Sequence, residues 1–335
     1  MLKMTNDPMK ATGITHAGVF HADDVFSTAF LMEYFTLVRG CPFRVMRLSN
    51  LPSKDHYNSG AIVYDIGMGQ FDHHGERVDR ENGVPYAAFG KLWKEFGYSY
   101  VSKLFPDNSA TDNSWIRQKF DSIFIQGIDA VDNGTMPLAD YPAQAMSVSS
   151  VIANMNPSWE DDSPLAEQMC FCNAVRLAKE IMGITLDRLF ATAKAKHRIS
   201  KALSCVQNKG TILVLDKFCP WQEEIINGGH SAAENLLYIM YPSKRNTGYW
   251  KWQVVPTAVG SFDQRCHVPE HWCGKTGDAL YHACRMSGMT FIHKSGFLGE
   301  CISKADAYEA VETIIDLAIH RGELIDTGDT IIRAK

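Results

Sequence analysis

The chain has 335 residues, 45% of them hydrophobic and 21% charged, with 33 basic against 38 acidic side chains and a net charge of −5. Such a length suits two domains or one large one, and the composition excludes a disordered chain, collagen and a coiled coil. Neither half of the chain is strongly basic, which argues against tight non-specific binding to duplex nucleic acid and leaves short or single strands open. The nine cysteines follow no framework of spacings and read as free thiols in a reducing compartment, the cytoplasm. Residues 1–10 resemble neither a secretory signal nor a transit peptide, and no apolar run reaches the length of a membrane span.

In chain order, residues 12–20 read as a strand ending in a loop. Residues 22–38 carry Val25, Phe26, Ala29, Phe30, Met32 and Phe35 at helical spacing. Residues 43–48 and 61–66 read as short buried strands, and 86–96 and 115–131 as helices, the second stopped by Asn133 and Gly134. This alternation predicts an α/β layer with a mostly parallel sheet. Residues 164–206 predict two helices broken near Gly183. Strands follow at 211–215, 236–241 and 250–255, and an amphipathic helix at 303–320. The expected boundary lies near residue 205, giving a first domain over 1–205 and a smaller C-terminal α+β domain over 206–335.

Potential metal ligands concentrate in the first third, in three pieces. His16, His21, Asp23 and Asp24 form the first, Asp65 the second, and Asp72, His73 and His74 the third. Each piece falls at or just beyond the C-terminal end of a predicted strand, the edge where open α/β sheets bind ligands. Imidazole mixed with carboxylate suits manganese, iron, cobalt or zinc. Asp65 is the natural bridge between two ions, because its two oxygens aim lone pairs in different directions. A pair of ions clamps a phosphoryl group and activates water. Taken singly, each piece has a plainer reading: Asp23 and Asp24 as helix-start residues, Asp65 as a turn cap, the histidines as surface or core side chains. Their joint placement at strand ends favours a site.

A fourth piece carries Asp129 and Asp132, three apart on one helical face and in its last turn. The helix dipole disfavours anions there, so a cation would compensate. Asp132 also reads as part of a turn signal, a plain reading that is weaker for Asp129, and either aspartate can be the ligand.

The run Asp72-His73-His74 resembles the motif that names the DHH phosphoesterases. The stretches THAGVFHADDVF, VYDIG, FDHH, GVPYAAFGKLWKEFG and IDAVDNG more specifically resemble the Myg (melanocyte-proliferating-gene) family. LVLDKFCPW, WKWQVVP, GSFDQR and FIHKSGFLGE extend the resemblance over nearly the whole chain. The resemblance implies a DHH-like domain with two divalent ions, manganese first, with magnesium, cobalt, iron or zinc as alternates. His16, His21 and Asp65 would hold one ion; Asp23, Asp65, His73 and Asp129 the other. His74 would face the substrate phosphate, and Asp72 would orient the histidines. His21 stands where the superfamily usually has aspartate.

The implied reaction is phosphodiester hydrolysis, removing nucleotides 3′ to 5′ from RNA or short oligonucleotides. The alternatives are a small-molecule phosphatase acting on pyrophosphate, polyphosphate, a cyclic dinucleotide or a nucleoside phosphate, and a non-catalytic metal- or RNA-binding protein. In the second domain, Ser261 and Arg265, and His293 with Gly296, are expected to grip substrate phosphate through hydroxyl, guanidinium and backbone N–H groups. Glu300 follows Gly299 where relatives have a second glycine, and a carboxylate pointing inward there would repel phosphate.

Overall fold

The computed structural model describes residues 2–136, 146–161 and 163–334. The chain folds into two compact units, Met1–Ala193 and Lys194–Lys335.

The first unit holds a four-stranded, all-parallel sheet. Its strands are β1 (Lys3–Met4), β2 (Gly13–His16), β3 (Arg44–Leu48) and β4 (Ile62–Val63), in the order β1-β3-β2-β4. Helix α1 (Ala22–Tyr34) crosses from β2 to β3, and the short α2 (Lys54–Asn58) precedes β4 on the other side of β2. The chain therefore leaves β2 to one side and later returns to its other side. That reversal opens a crevice beyond the C-terminal end of β2, where His16 sits.

Every α1 residue from Ala22 to Leu31 is buried, because the helix is packed on all sides rather than along one stripe. Phe26 stacks on Phe89 of α3 (Ala88–Leu104), Phe30 packs against Phe89 and edge-on to Trp93, and Trp93 packs against Phe120 of α4 (Ala110–Phe120). The helix expected over 115–131 is interrupted by a π turn, Asp121–Ile125, before α5 (Gln126–Asp132). The same happens after α1, where residues 35–39 form a π turn. Helix α6 (Val148–Ala153) follows.

Helix α7 (Pro164–Leu203) runs through Gly183 without the expected break. One exposed glycine costs a helix about 1 kcal/mol. The buried face of Ala178, Met182, Leu186 and Leu189 outweighs that. The unit boundary falls inside this helix. Ala195, Ile199 and Leu203 share a core with Leu213, Leu215 and Trp221 of the second unit.

The second unit is a mixed five-stranded sheet in the order β5-β6-β7-β9-β8. Its strands are β5 (Ile212–Val214), β6 (Tyr238–Pro242), β7 (Trp250–Val254), β8 (Met289–Ile292) and β9 (Leu298–Cys301). Only β5 and β6 pair in parallel. Helices α8 (Gln222–Asn227), α9 (Gly277–Cys284) and α10 (Lys304–His320) complete it, with a β10–β11 hairpin (Leu324–Asp326, Ile331–Arg333). The apolar face of α10, Ala310, Val311, Ile314 and Ile315, packs in one core with Tyr238 and Trp252. The architecture is α/β, with a parallel sheet in the first unit and a mixed one in the second. Among the described residues no helix is long and apolar enough to cross a membrane.

Candidate metal centre

The first unit brings the three ligand pieces to one cavity of about 820 Å³, lined by His16, His21, Asp65, Asp72, His73 and His74 together with Asp132. Three overlapping groups of donor atoms lie within reach of a common ion: His16, Asp24 and Asp65; Asp23, Asp65, His73 and Asp132; and Asp65, Asp72, His73 and His74.

Asp65 belongs to all three groups, and local backbone explains how. It follows β4 at φ 53°, a left-handed conformation that non-glycine residues rarely adopt. Its N–H donates to the Phe71 carbonyl at 2.9 Å, so the loop folds back and delivers Asp72, His73 and His74 beside it. One carboxylate oxygen, Oδ2, lies 3.2 Å from His16 Nε2. The other, Oδ1, lies 3.4 Å from His73 Nδ1 and 3.8 Å from His74 Nδ1. Asp72 accepts the His74 backbone N–H at 3.1 Å and holds its Nδ1 at 2.7 Å.

Asp23 projects from the first turn of α1 onto the start of α3. Its two oxygens accept the N–H groups of Ala88 and Phe89 at 3.0 and 2.8 Å. These are unpaired donors of a helix start, where an anion is favoured.

The loop carrying His16 is tied down by remote side chains. Arg47 donates to the carbonyls of His16 and Gly18 and pairs with Glu167 at 2.6 Å, while Glu167 also accepts the Gly18 N–H. Asn156 bonds both the N–H and the carbonyl of Phe20.

Buried negative charge dominates the electrostatics. Burial, with the charges of Asp65, Asp132 and Asp129, pushes the Asp23 carboxyl well above the usual range. Burial also pushes Asp24 up to about 7, against the pull of His16. Asp65 goes the other way: burial opposes ionisation, but His16 and His73 draw it down to about 2. Against burial, Asp65 and Asp24 raise His16 to about 9, and Asp132 with Asp65 raises His73 to about 10. Asp24 Oδ2, Asp65 Oδ1 and His73 Nδ1 are shielded from solvent and make no hydrogen bond. Buried polar atoms without partners, two of them carboxylate oxygens, fit a cation in the cluster.

The fourth piece requires a correction. Asp129 is in none of the donor groups. Its carboxylate accepts from Arg80 Nη2 at 2.7 Å and from the Gly90 N–H at 3.2 Å. The approach is so close that a side chain at position 90 would place its Cβ 2.0 Å from Asp129 Oδ2. Arg80 also pairs with Asp121 at 2.7 Å, within the π turn. One turn later Asp132, at the end of α5, reaches His73 Nε2 at 2.9 Å. Both aspartates lie on one helical face, but the buried arginine takes the first and leaves the second to the cluster. His21 lines the cavity yet is exposed and also outside the donor groups, its ring centroid 6.2 Å from that of His16.

Sequence reasoning passed over Asp24 and Asp132 in favour of their neighbours, and it did not single out Arg47, Arg80, Asn156 or Glu167. Asp24 and Asp132 had a signal in being adjacent to, or one turn from, a chosen ligand. The other four had none, since their partners are distant in sequence.

In the second unit, Arg265 Nη1 donates to the carbonyls of Ala233, Glu234 and Leu236, a structural use of the guanidinium that the phosphate-grip reading did not foresee. Ser261 accepts the Asp263 N–H, and His293 bonds Ser295. Gly296, at φ 71°, lines a separate cavity with Val268 and Cys273. Glu300 is engaged by Ser243, Asn246 and Lys251. Gly299 is required beside it, because Trp252 would lie 2.1 Å from a Cβ at that position.

Comparison with known proteins covers most of the chain. Residues 12–315 match the family model MYG1_exonuc, described as Uncharacterised protein family (UPF0160). A MYG1 protein of Saccharomyces cerevisiae is 26% identical over 334 residues, covering 91% of this chain and 95% of its own. Proteins named MYG1 exonuclease from Homo sapiens and Mus musculus are 27% and 28% identical, each covering 85% of this chain and 80% of its own length. No solved structure matches the chain. The match over most of the sequence makes the chain a member of the MYG1 family.

Proposed function

We propose that the protein is a metal-dependent phosphodiester hydrolase that removes nucleotides 3′ to 5′ from RNA or short oligonucleotides. The observation that carries this reading is Asp65, whose two oxygens face two different donor sets across one buried cluster. The relatives named MYG1 exonuclease support a nucleic-acid substrate. Its nine thiols suit the cytoplasm.

His16 and Asp65 would hold one divalent ion, and Asp23, Asp65, His73 and Asp132 the other. Such ions, manganese by preference, lower the pKa of water and neutralise a phosphoryl group. The protein supplies position and charge. Asp65 ties the two donor sets together from a backbone fixed in an uncommon conformation. Asp23 is aimed by the N-terminal N–H groups of α3. Asp72 grips His74 by Nδ1, so that the opposite nitrogen of this exposed ring meets a non-bridging phosphate oxygen.

The test is hydrolysis by the full chain of a 3′-labelled RNA oligonucleotide, a dinucleotide and pyrophosphate, with manganese and with chelator. Manganese-dependent release of nucleotides from the 3′ end is expected. Hydrolysis of pyrophosphate alone would replace this reading with a small-molecule phosphatase. Binding of RNA without turnover would replace it with a non-catalytic RNA-binding protein.

A further inference from the structure

One buried carboxylate has an oxygen that is explained neither by helix capping nor by the ligand set that the DHH resemblance implies. Asp24, in the first turn of α1, is fully buried. Its Oδ1 accepts the His21 N–H at 2.8 Å and closes the start of the helix. Its Oδ2 is sealed from solvent, has no hydrogen-bond partner, and points to His16 Nε2 at 3.6 Å. Leaving a buried acceptor unsatisfied is costly, and more so when it is charged. Something positive belongs beside that oxygen.

The other face of His16 narrows what it is. His16 Nδ1 lies 3.1 Å from the Ala17 carbonyl oxygen. A carbonyl only accepts, so Nδ1 carries a proton, and whenever the ring is neutral it turns a lone pair out at Nε2. That lone pair faces Asp65 Oδ2 at 3.2 Å as well as Asp24 Oδ2. Three such acceptors converging on one point repel each other unless a proton or a metal ion lies between them. This is how a metal-binding histidine is ordinarily held, with its second nitrogen donating to a backbone carbonyl.

We propose that Asp24 is a ligand of the first ion, held by His16, Asp24 and Asp65, and that His21 lies outside its coordination. The inference rests on the two-ion reading given above and changes its ligand set. Charge supports it. Asp23, Asp24, Asp65, Asp72 and Asp132 crowd five carboxylates into the cluster, and two divalent ions offset four of those charges, while Asp129 pairs with Arg80. The resulting donor sets each contain one imidazole and otherwise carboxylates. Such oxygen-rich sets suit manganese or magnesium better than zinc or copper. The competing arrangement is a proton rather than an ion shared by His16 and the two carboxylates.

The experiment is calorimetric titration of chelator-stripped full-length protein with manganese chloride, with bound manganese followed by electron paramagnetic resonance. Wild type, Asp24→Asn and His21→Asn are compared, with folding checked by circular dichroism. Asparagine at position 24 keeps an oxygen for the His21 N–H and removes the anionic donor. Wild type is expected to bind two ions. Asp24→Asn should lose one, or bind it more weakly by at least about tenfold. His21→Asn should keep both. If Asp24→Asn does not fold, Asp24→Glu, which keeps the charge but moves the oxygen, is expected to weaken the same ion. Two ions bound with unchanged affinity in the Asp24 variant, or loss of an ion in His21→Asn, overturns the assignment alone. A wild-type protein that binds no manganese overturns both the assignment and the two-ion reading.

Discussion

At the scale of single residues, three aspartates of similar sequence setting have different tasks. Asp65 has an oxygen toward each donor set, Asp132 touches His73, and Asp129 is buried against Arg80. An amide in place of Asp65 offers a neutral oxygen and an N–H₂ that cannot take a cation. Asp65→Asn should therefore abolish binding of both ions and turnover together. Asp132→Asn should weaken the ion at His73 and spare the other. Asp129→Asn should leave metal content intact and lower stability by about 1–3 kcal/mol, since it weakens a buried charge-assisted bond while Asp121 still holds Arg80. Metal analysis and urea unfolding of the three variants check this ordering, and a metal-free but stable Asp129→Asn protein would contradict it. Arg265 has a comparable structural task in the second unit. Arg265→Ala should release the carbonyls of Ala233, Glu234 and Leu236 and lower the melting temperature without altering the number of manganese ions bound.

At the scale of elements, the site is built where a strand end, a helix start and a return loop meet. β2 ends on His16, α1 begins with Asp23 and Asp24, and the loop after β4 closes from Asp65 to Phe71. None of these segments is long, so their positions depend on side chains that satisfy loop backbone. Asn156 is the simplest to probe, because it serves both polar groups of Phe20 and touches no proposed ligand. Asn156→Ala should cost about 1–3 kcal/mol of stability from the groups left unpaired. It should also weaken manganese binding, as the loop from His16 to Phe20 loosens. Melting in chelator and a manganese titration separate the two effects. A melting change with unaltered metal affinity would show that this tie does not position His16.

At the scale of the whole molecule, the two units have their own cores. Phe26, Phe30, Trp93 and Phe120 centre the first, and Trp252, Tyr238 and Ile314 lie in the second. All the proposed ligands lie in the first. Ligand binding stabilises only the folded state that holds the site, by about 2.7 kcal/mol at a hundredfold excess over Kd. Calorimetry with and without manganese should thus move the unfolding of residues 1–193 and leave that of 194–335 in place. A shift confined to the second unit would mean that the ions bind elsewhere.

The α/β alternation and the ligand types were legible in the sequence because both are local. Strand and helix periods show in short windows, and histidines and aspartates clustered at strand ends are visible wherever the chain goes. His16, Asp23, Asp65 and the Asp72–His74 run are gathered by the fold for that reason: each piece is delivered by the end of its own strand or helix. Gly183 and the π turns were not legible, since a helix continues or widens according to what its faces pack against. The contrast between Asp132 and Asp129, and between Asp24 and His21, on which the proposed ligand sets rest, arises only in three dimensions. Local spacing puts Asp129 and Asp132 on the same face. The difference arises from Arg80, 49 residues away, whose buried guanidinium neutralises the first and leaves the second for a cation. Asp24 and His21 differ likewise in where the packing of α1 turns them: one sealed and unpartnered beside His16, the other out at the mouth of the cavity.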